Sequence, residues 1–567
     1  MLRRKSLLPA TIASTFVLTL SLGMSSANVW AEDENAAAQD SPFKVGGYVR
    51  GWLSMNLQDQ PEVADAKDKL SMVRASALLD ADWKPATTVR FKAIGRVDRE
   101  YKTDYLKSLE VPPNTFPGNG SIKDVFTTNA GGGIGGVMNN YNQGEVRELW
   151  GEVDLTDRIK LKVGKQQVVW GETDFFRAMD LVHGFDYRWR SFLEAENEEL
   201  RKPLILARMM LQVPEVKGSL DMFVRPGIDA YRAIGNTYDI AGGRWGSQPA
   251  KGGSFFYATG YNYRSEGADV RDTTGGIRWQ AQAAGINYSI AALKTFNNDP
   301  VFNPCPANLQ FLYQGAGSSG AFTPFKQTPL HCAIAYNPYQ PGGVQPQFGD
   351  WVFPNTNILG VTASAYSDLA DAVFSTEIVF QKDRSFNYGL QNGRFGYNII
   401  PGSFGIIQKN TLTTMFRMDK TVDLSKLIGT SRPSFGSIQF FNTHIQGFNK
   451  ADEIVELAFW SRPKPKDSAL LTAILGMNYS NDRINPTIAA GWDVTDGGGF
   501  IIPSVEWVLG DNWRIKGELD LFFYNGDQKT RYLNPTTFAW EEKGRGAGLF
   551  GYFAHNNQAV IRVTRQF

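Results

Sequence analysis

The chain has 567 residues, with 58 Lys and Arg against 57 Asp and Glu, two Cys and a formal net charge of +1. This balance gives no electrostatic field strong enough to indicate a nucleic-acid-binding protein, and the length excludes a small disulfide-stapled domain. A membrane-spanning helix needs about 18 consecutive apolar residues, and no stretch after the N-terminus is that long. The composition therefore excludes a polytopic helical membrane protein.

The N-terminus has the features of an export signal. Three basic residues, Arg3 to Lys5, precede an apolar and small-residue core at 7–24, and Val29-Trp30-Ala31 places small groups before acidic Glu32. This order predicts a signal peptide cleaved after Ala31. We therefore expect two parts: a signal peptide at 1–31 and a single domain at 32–567.

The first mature segment alternates apolar and polar residues over 43–57. Odd positions are apolar or Gly, whereas even positions carry residues such as Arg50 and Asn56. The same rhythm forms hairpins at 73–83 with 89–100 and at 149–155 with 159–163. Such runs exceed the usual strand of a globular protein and suit tilted membrane strands, which need about nine to eleven residues.

Further alternating runs continue to the C-terminus. They lie at 204–213, 219–225, 254–262, 276–294, 358–366, 372–381, 411–419, 437–445, 469–479, 484–494, 501–509, 513–523 and 557–567. Three long Gly-, Asn- and Pro-rich connections separate some of them, at 102–142, 227–253 and 295–357. The pattern predicts an all-β, antiparallel outer-membrane barrel of about sixteen strands, within a range of about fourteen to eighteen, with short periplasmic turns and long extracellular loops.

A soluble β-sandwich also alternates, so the choice of a membrane barrel needs further support. The apolar positions mix small residues such as Gly51 and Ala77 with aromatic residues near segment ends such as Trp83 and Trp513, as a lipid-facing wall does. The polar positions carry charges of both signs, which a wet lumen tolerates. The chain ends on Phe567, and a terminal aromatic residue that closes an amphipathic strand resembles the recognition signal of the barrel assembly machinery.

The alternation assigns charged residues to the lumen. Basic and acidic candidates on neighbouring strands are Arg50, Arg74, Arg90, Lys92, Arg96, Glu148, Glu152 and Asp154. The string at 163–172 breaks period two near its end, and an inward turn there would place Lys165, Gln166, Glu172 and Asp174 at a polar constriction. The alternatives are a ladder of cross-strand salt bridges that stiffens the wall and a bulged strand end. The charged segment at 185–202 is either a plug or an outside loop.

Cys305 and Cys332 lie in one long connection of an exported chain, which predicts a disulfide, with two free thiols as the alternative. A closed loop of this size would stabilise the fold by about 3 kcal/mol. The four histidines, at 183, 331, 444 and 555, show no metal-ligand spacing, and neither a nucleophile elbow nor a phosphate-binding loop is present. We expect no metal, no cofactor and no enzyme, and keep an outer-membrane hydrolase as a minor alternative.

Several strings resemble the family called domain of unknown function 1302. They are Gly47-Tyr48-Val49-Arg50, the G-K-Q-Q-V-V-W-G-E string at 164–172 and Arg201-Lys202-Pro203. The resemblance implies an exported Gram-negative outer-membrane protein, often encoded near a periplasmic lipid-binding-type protein and an inner-membrane transporter of the resistance-nodulation-division type. It supplies no catalytic residues.

The sequence thus predicts a channel or transporter in outer-membrane lipid that passes a hydrophobic or amphipathic small molecule or lipid. The alternative is a surface-binding or adhesive barrel with a closed lumen. A soluble exported β-protein is the remaining possibility.

Overall fold

The chain forms a closed barrel of eighteen antiparallel strands in a computed structural model. The structure describes residues 41–59, 65–109, 141–171, 173, 176–193, 197–229, 233–238, 259–261, 272–305, 349–389, 405–455, 463–525, 530–533, 540–543 and 549–567. The predicted signal peptide lies outside these residues. The barrel strands are β1 Phe43–Asn56, β2 Leu70–Ala86, β3 Val89–Glu100, β4 Gln143–Asp154, β5 Ile159–Gln166, β6 Leu204–Val213, β7 Gly218–Arg225, β8 Thr274–Ala283, β9 Ile286–Phe296, β10 Asn355–Ser367, β11 Ala372–Tyr388, β12 Gly405–Val422, β13 Ser434–Ile445, β14 Asp467–Gly476, β15 Ile484–Asp493, β16 Gly498–Leu509, β17 Trp513–Tyr524 and β18 Gln558–Gln566.

The last strand pairs with the first and closes the wall. The β1–β18 register runs from Tyr48 opposite Gln566 to Asn56 opposite Gln558. Phe567 continues this ladder, because its N–H and C=O both bond to the backbone of Gly47. Closure leaves neither the first nor the last strand with a free edge, which a spanning sheet requires because hydrocarbon offers no hydrogen-bonding partners. A role of Phe567 in assembly stays a prediction.

The connections differ at the two ends of the barrel. At one end, the short-turn end, all links except 423–433 and 477–483 have two to four residues, such as 87–88, 284–285 and 510–512. The other end, the long-loop end, carries the longest connections, at 101–142, 167–203, 226–273, 297–354 and 525–557. The predicted asymmetry is confirmed, and it is typical of outer-membrane barrels.

The two faces of the wall differ as the alternation predicted. In β1, Val45, Val49 and Leu53 are exposed on the outside, whereas Arg50 and Trp52 are buried inside. Near the short-turn end, Trp83 stacks on Phe91 with ring centroids 5.3 Å apart. Arg565, which breaks the apolar pattern of β18, lies 5.6 Å from the Trp513 ring centroid, so its charge reaches an aromatic face at the membrane boundary.

The strand number is eighteen rather than about sixteen, within the predicted range. The run at 276–294 conceals two strands, β8 and β9, joined only by Ala284 and Gly285. Both turn residues have positive φ, 51° and 80°, the geometry of a two-residue hairpin turn that matches strand twist. The run at 254–262 is not a barrel strand: among its described residues, Thr259–Tyr261 pairs in parallel with Gly349–Val352 in a separate small sheet.

The remaining elements are short. The small sheet also contains Val301–Pro304, a second one joins Thr530–Leu533 to Trp540–Lys543, and Ile454–Val455 pairs with the end of β11. Helical turns are Asp104–Leu109, Ser191–Leu193, Asn197–Leu200, Pro214–Val216, Ser425–Ile428, Lys450–Asp452 and Leu549–Tyr552. None of the described helices is both long and apolar enough to cross a membrane.

A charge on the outer face tests the membrane assignment. Val361, 45% exposed in the middle of β10, faces lipid, whereas Leu369, fully exposed, lies in the turn at 368–371. We expect Val361→Arg to lower the free energy of unfolding by about 2–4 kcal/mol and Leu369→Arg to change it little, because the cost depends on depth. Urea titration in lipid vesicles, followed by the heat-modifiable gel band, measures both. Equal effects would contradict a lipid-facing β10.

Candidate functional site

The described residues between β5 and β6, at 167–171, 173, 176–193 and 197–203, fold into the barrel, and we call them the inward segment. The segment contacts Arg50 on β1, Glu377 on β11 and Asp520 on β17. In the closed wall, β11 lies across the barrel from β1 and β17, which are separated only by β18. The inward segment therefore crosses the lumen, which decides in favour of the plug among the two possibilities left open by the sequence.

Ion pairs hold the segment against β1 to β4. The Arg50 guanidinium donates two bonds to the Glu199 carboxylate, of 2.6 and 2.8 Å. Arg96 donates to the Glu199 carbonyl at 3.0 Å, and Arg147 donates to the carbonyls of Glu198 and Arg201 at 2.6 and 2.8 Å. The last carbonyls of a helix have no partner within it, so these arginines cap the turn Asn197–Leu200. The contact between the inward segment and β1 to β4 therefore consists of ion pairs and hydrogen bonds.

An indole completes this charged contact. The guanidinium carbons of Arg74 and Arg96 lie 3.0 and 4.2 Å from the Trp189 ring centroid. Asp98 approaches both arginines, at 3.3 and 3.2 Å, and Glu145 pairs with Arg96 at 2.7 Å. The buried charges of these wall arginines are thus compensated by carboxylates or by the aromatic face, as buried charges require.

A second charged contact joins the segment to β17. Arg190 pairs with Glu518 and, at 3.1 Å, with Asp520, and all three side chains are buried. Lys516 of the same strand pairs with Glu518 at 2.6 Å.

Apolar packing holds the opposite side of the segment. Its buried residues Val168, Trp170, Ala178, Met179 and Val182 pack on the inner wall of β6 to β13. The wall residues are Leu204, Leu206, Phe223, Ala291, Leu293, Ile358, Val379, Met415 and Phe441. Gly276 of β8 admits the Trp170 ring, because a Cβ there would lie 2.6 Å from an indole carbon. Phe192 packs on Phe500 of β16 with ring centroids 5.4 Å apart.

His183 joins the two ends of the segment. Its Nε2 accepts from the Val168 N–H at 2.8 Å, so its Nδ1 carries the proton and donates to the Lys202 carbonyl at 3.0 Å. Burial, followed by the nearby Arg201 guanidinium, lowers the pKa of His183 to about 3. Both ring nitrogens serve the backbone, so His183 has a structural role. Within the described part of the chain, no group of three metal-ligating side chains could hold an ion.

Towards the short-turn end, the lumen contains partly exposed ion pairs. Arg90 pairs with Asp82, Lys92 with Asp80 at 2.9 Å, and Lys160 with Glu152 at 3.1 Å and Asp154 at 3.5 Å. The Arg90 and Lys160 side chains are 38% and 42% exposed although they face inward, so water reaches this half of the lumen. These pairs form the cross-strand ladder that the sequence analysis gave as an alternative.

The structure places the other predicted residues differently. Glu148 faces inward and accepts from the Trp150 indole N–H at 2.8 Å, and Gln166 is buried, with bonds to the carbonyls of Lys162 and Leu206. Glu172, Asp174 and Cys332 lie outside the described residues, so the disulfide to buried Cys305 stays a prediction.

The prediction that Lys165 lines the lumen is wrong. It lies directly opposite Leu149, whose side chain is 59% exposed on the outer face, and therefore it faces outward. The physical reason is that β5 keeps period two through Gln166, so Lys165 shares the face of Val163. The inward turn begins after this point.

Several contact residues were missed. The alternation of apolar and polar residues does not reveal contacts between residues that are far apart in sequence. Such contacts are those of Glu199, Trp189, Arg190 and Asp520. The sequence did contain a signal for Arg147. Its side chain faces inward at an odd position, directly before inward-facing Glu148, because β4 contains a bulge there. In the sequence, charged residues stand at odd positions 145 and 147 before the even positions 148, 152 and 154, and this change of parity indicates a bulge.

The family of the chain follows from a comparison with family models. The model described as protein of unknown function (DUF1302) matches residues 70–567. The chain belongs to the DUF1302 family. The predicted resemblance is thereby confirmed, and the match covers all barrel strands of this DUF1302 protein except β1. No curated protein matches it.

The DUF1302 barrel is also similar to solved outer-membrane proteins. OpdK of Pseudomonas aeruginosa, solved with vanillate, is 8% identical, with a TM-score of 0.38, over 93% of this chain and 98% of that one. OccAB2 of Acinetobacter baumannii is 7% identical, with a TM-score of 0.40, over 93% and 98%. OmpF of Salmonella typhi, in complex with daunomycin, is 8% identical, with a TM-score of 0.35, over 93% and 97%. These scores are too low for an argument from similarity, and the barrel follows from this chain's own strand register.

The buried imidazole makes docking of the inward segment depend on pH. A free imidazole has a pKa of about 6.5, whereas the pKa of docked His183 is about 3. The undocked state therefore binds the proton first, so the stabilisation is full above about pH 6.5 and is lost as the pH falls towards about 3. We expect hydrogen exchange at 176–193, corrected for intrinsic rates, to accelerate over this window.

The control for this experiment is a histidine outside the segment. His444→Gln removes an imidazole on β13 that pairs with Asp467, and it should leave the pH dependence intact. His183→Gln should remove the part of the pH dependence between about 6.5 and 3. Equal protection of the wild-type segment at pH 7 and pH 4 would contradict the assignment.

Proposed function

We propose that this protein is an outer-membrane channel in which the inward segment controls the passage of an amphipathic small molecule or lipid. The observation that carries the proposal is the asymmetry of the segment's attachment. Apolar packing fixes it to β6 to β13, whereas ion pairs and hydrogen bonds to backbone carbonyls hold it to β1 to β4. Polar contacts can be exchanged for water or for a charged solute, but apolar contacts cannot. The route therefore runs along the arginines of β1 to β4.

The chemistry of this route indicates what a solute would contact. Arg50, Arg74, Arg96 and Arg147 surround the segment, and the Glu199 carboxylate occupies the fork of Arg50 in a bidentate geometry. An incoming anionic group can replace Glu199, because a guanidinium binds any carboxylate or phosphate in the same way. We propose that the water-accessible ladder at the short-turn end connects this contact to the periplasmic side. An apolar solute body would meet the aromatic faces of Trp52 and Trp189.

The partners of such a channel belong to the same proposal. We propose a periplasmic lipid-binding-type protein and an inner-membrane transporter of the resistance-nodulation-division type, which the family resemblance implies. The described chain extends few residues beyond the wall at the short-turn end, where the largest connection is 423–433. A separate periplasmic carrier would therefore have to bridge the two membranes.

Removing one carboxylate tests the control by the segment. Glu199→Gln breaks a pair in which Arg50 is 2% exposed. Losing one partner of a buried pair is strongly destabilising, so we expect the open fraction of the channel to rise by about tenfold or more. Single-channel recording in planar lipid bilayers measures it. Glu215→Gln is the matched control, because it removes an exposed pair with Arg158 at a short turn.

The outcomes separate the two candidate functions. Equal conductance of Glu199→Gln, Glu215→Gln and wild type would remove the segment as the controlling element. Absence of conductance in all three, with the heat-modifiable band retained, would favour the surface-binding barrel with a closed lumen.

A further inference from the structure

The wall between β4 and β5 is only partly hydrogen-bonded. The register joins 149–154 to 160–165 and ends at Leu149 opposite Lys165. Beyond that point no backbone bond joins residues 143–148 to 166–170, all of which the structure describes. On the far sides, pairing continues to Gln143 of β4 and to Gln166 of β5. We call this gap between 143–148 and 166–170 the β4–β5 seam.

Side chains span the seam in place of the backbone. Lys165 donates to the Val146 carbonyl at 2.6 Å. Gln167 donates to the Glu148 carboxylate at 3.1 Å and accepts from Arg201 at 2.9 Å. A lysine on the lipid-facing surface is costly, and here it satisfies a carbonyl that an intact ladder would have bonded. The seam can therefore part by rotation of side chains, with no backbone hydrogen bond to break.

An apolar groove of about 500 Å³ lies on the outer wall over β1 to β4, and it reaches the β4 side of the seam at Gly144 and Val146. Its exposed lining includes Val49, Leu79, Val97, Val146 and Phe567, over a floor that contains Ala77, Gly95 and Gly144. A second depression, of about 390 Å³, continues it past Ala81, Ala93 and Leu149. These volumes are in the range of small-molecule sites, and both surfaces are shaped for an aliphatic or ring body.

The inner side of the same strand carries the opposite chemistry. Arg147 is buried, reaches the carbonyls of Glu198 and Arg201, and pairs with Glu145, which also pairs with Arg96. Arginine binds carboxylates and phosphates in a bidentate fashion. The groove thus lies on the outer face of β1 to β4 and the two arginines lie on the inner face of β3 and β4. The edge of β4 that faces β5 has no backbone hydrogen bonds over 143–148.

We propose that the β4–β5 seam is a lateral portal that passes an anionic amphiphile between the lumen and the bilayer. The apolar body lies in the outer groove and the anionic head group binds Arg96 and Arg147 inside. Lys165 meets the head group as it crosses the wall. This inference rests on the proposed function and names its route and its substrate class, an acidic head group on an apolar body such as a fatty acid.

Photolabelling with a diazirine-tailed fatty acid in nanodiscs tests the portal. We expect adducts in two places: on the outer groove around Leu79 and Val97, and on the lumen side around Trp150 and Trp189. Glu148→Cys with Gln167→Cys, joined by a short thiol crosslinker, closes the seam and should abolish the lumen adducts while the groove adducts remain. Ser289→Cys with Thr362→Cys is the matched control, because it bridges two inward side chains, 2.8 Å apart, across an intact ladder.

A second variant loosens the seam. Gln167→Ala removes its bonds to Glu148 and Arg201, and we expect lumen labelling to rise by about fivefold. Gln280→Ala, which loses a bond to Ser219 across the paired β7–β8 ladder, should leave the labelling unchanged. Lumen adducts that persist in the crosslinked seam, or groove adducts that never form, would overturn the portal. Because conductance of Glu199→Gln is measured without this probe, a failed portal and a failed channel give different results.

Discussion

Hydrocarbon offers no hydrogen-bonding partner, and the rest of this structure follows from that constraint. Each backbone N–H and C=O of the wall must bond to a neighbouring strand, so the sheet closes and β18 pairs with β1. Closure then fixes the side chains: those at alternate positions meet lipid, and those between them are confined to a lumen. Charged residues such as Arg50 and Asp98 can be kept only inside, where each needs a partner.

The inward segment adds partners to those that the wall itself supplies. Glu199 reaches Arg50, Trp189 packs on the guanidinium groups of Arg74 and Arg96, and Arg190 reaches Asp520. On the other side, the apolar cluster around Trp170 converts the inner wall of β6 to β13 into a packed core. The inward segment therefore has two kinds of attachment to the wall: ion pairs and hydrogen bonds on one side, and apolar packing on the other. The proposed opening of the lumen depends on this difference, because the polar side of the segment can exchange its partners for water or a charged solute.

The same constraint makes the β4–β5 seam significant. A membrane barrel with half of one strand edge lacking a backbone ladder needs compensation, and Lys165 and Gln167 provide it through side chains. The seam exists because the chain leaves the wall after β5 to enter the lumen, so the plug and the gap have one origin. In the proposed mechanism, inward folding at this point links the control of the lumen to access from the bilayer.

The sequence left open whether Arg90, Lys92, Glu152 and Asp154 form a constriction or a salt-bridge ladder, but it alone determined the properties that depend on period two: the barrel and the faces of β1 to β3. These are local, because each residue's face is set by the parity of its neighbours. Only the tertiary structure decided that the inward segment crosses the lumen, that Lys165 faces lipid and that Glu199 pairs with Arg50. Arg50 and Glu199 are 149 residues apart, and the partner of a buried charge depends on chain closure at that distance, which no local pattern contains.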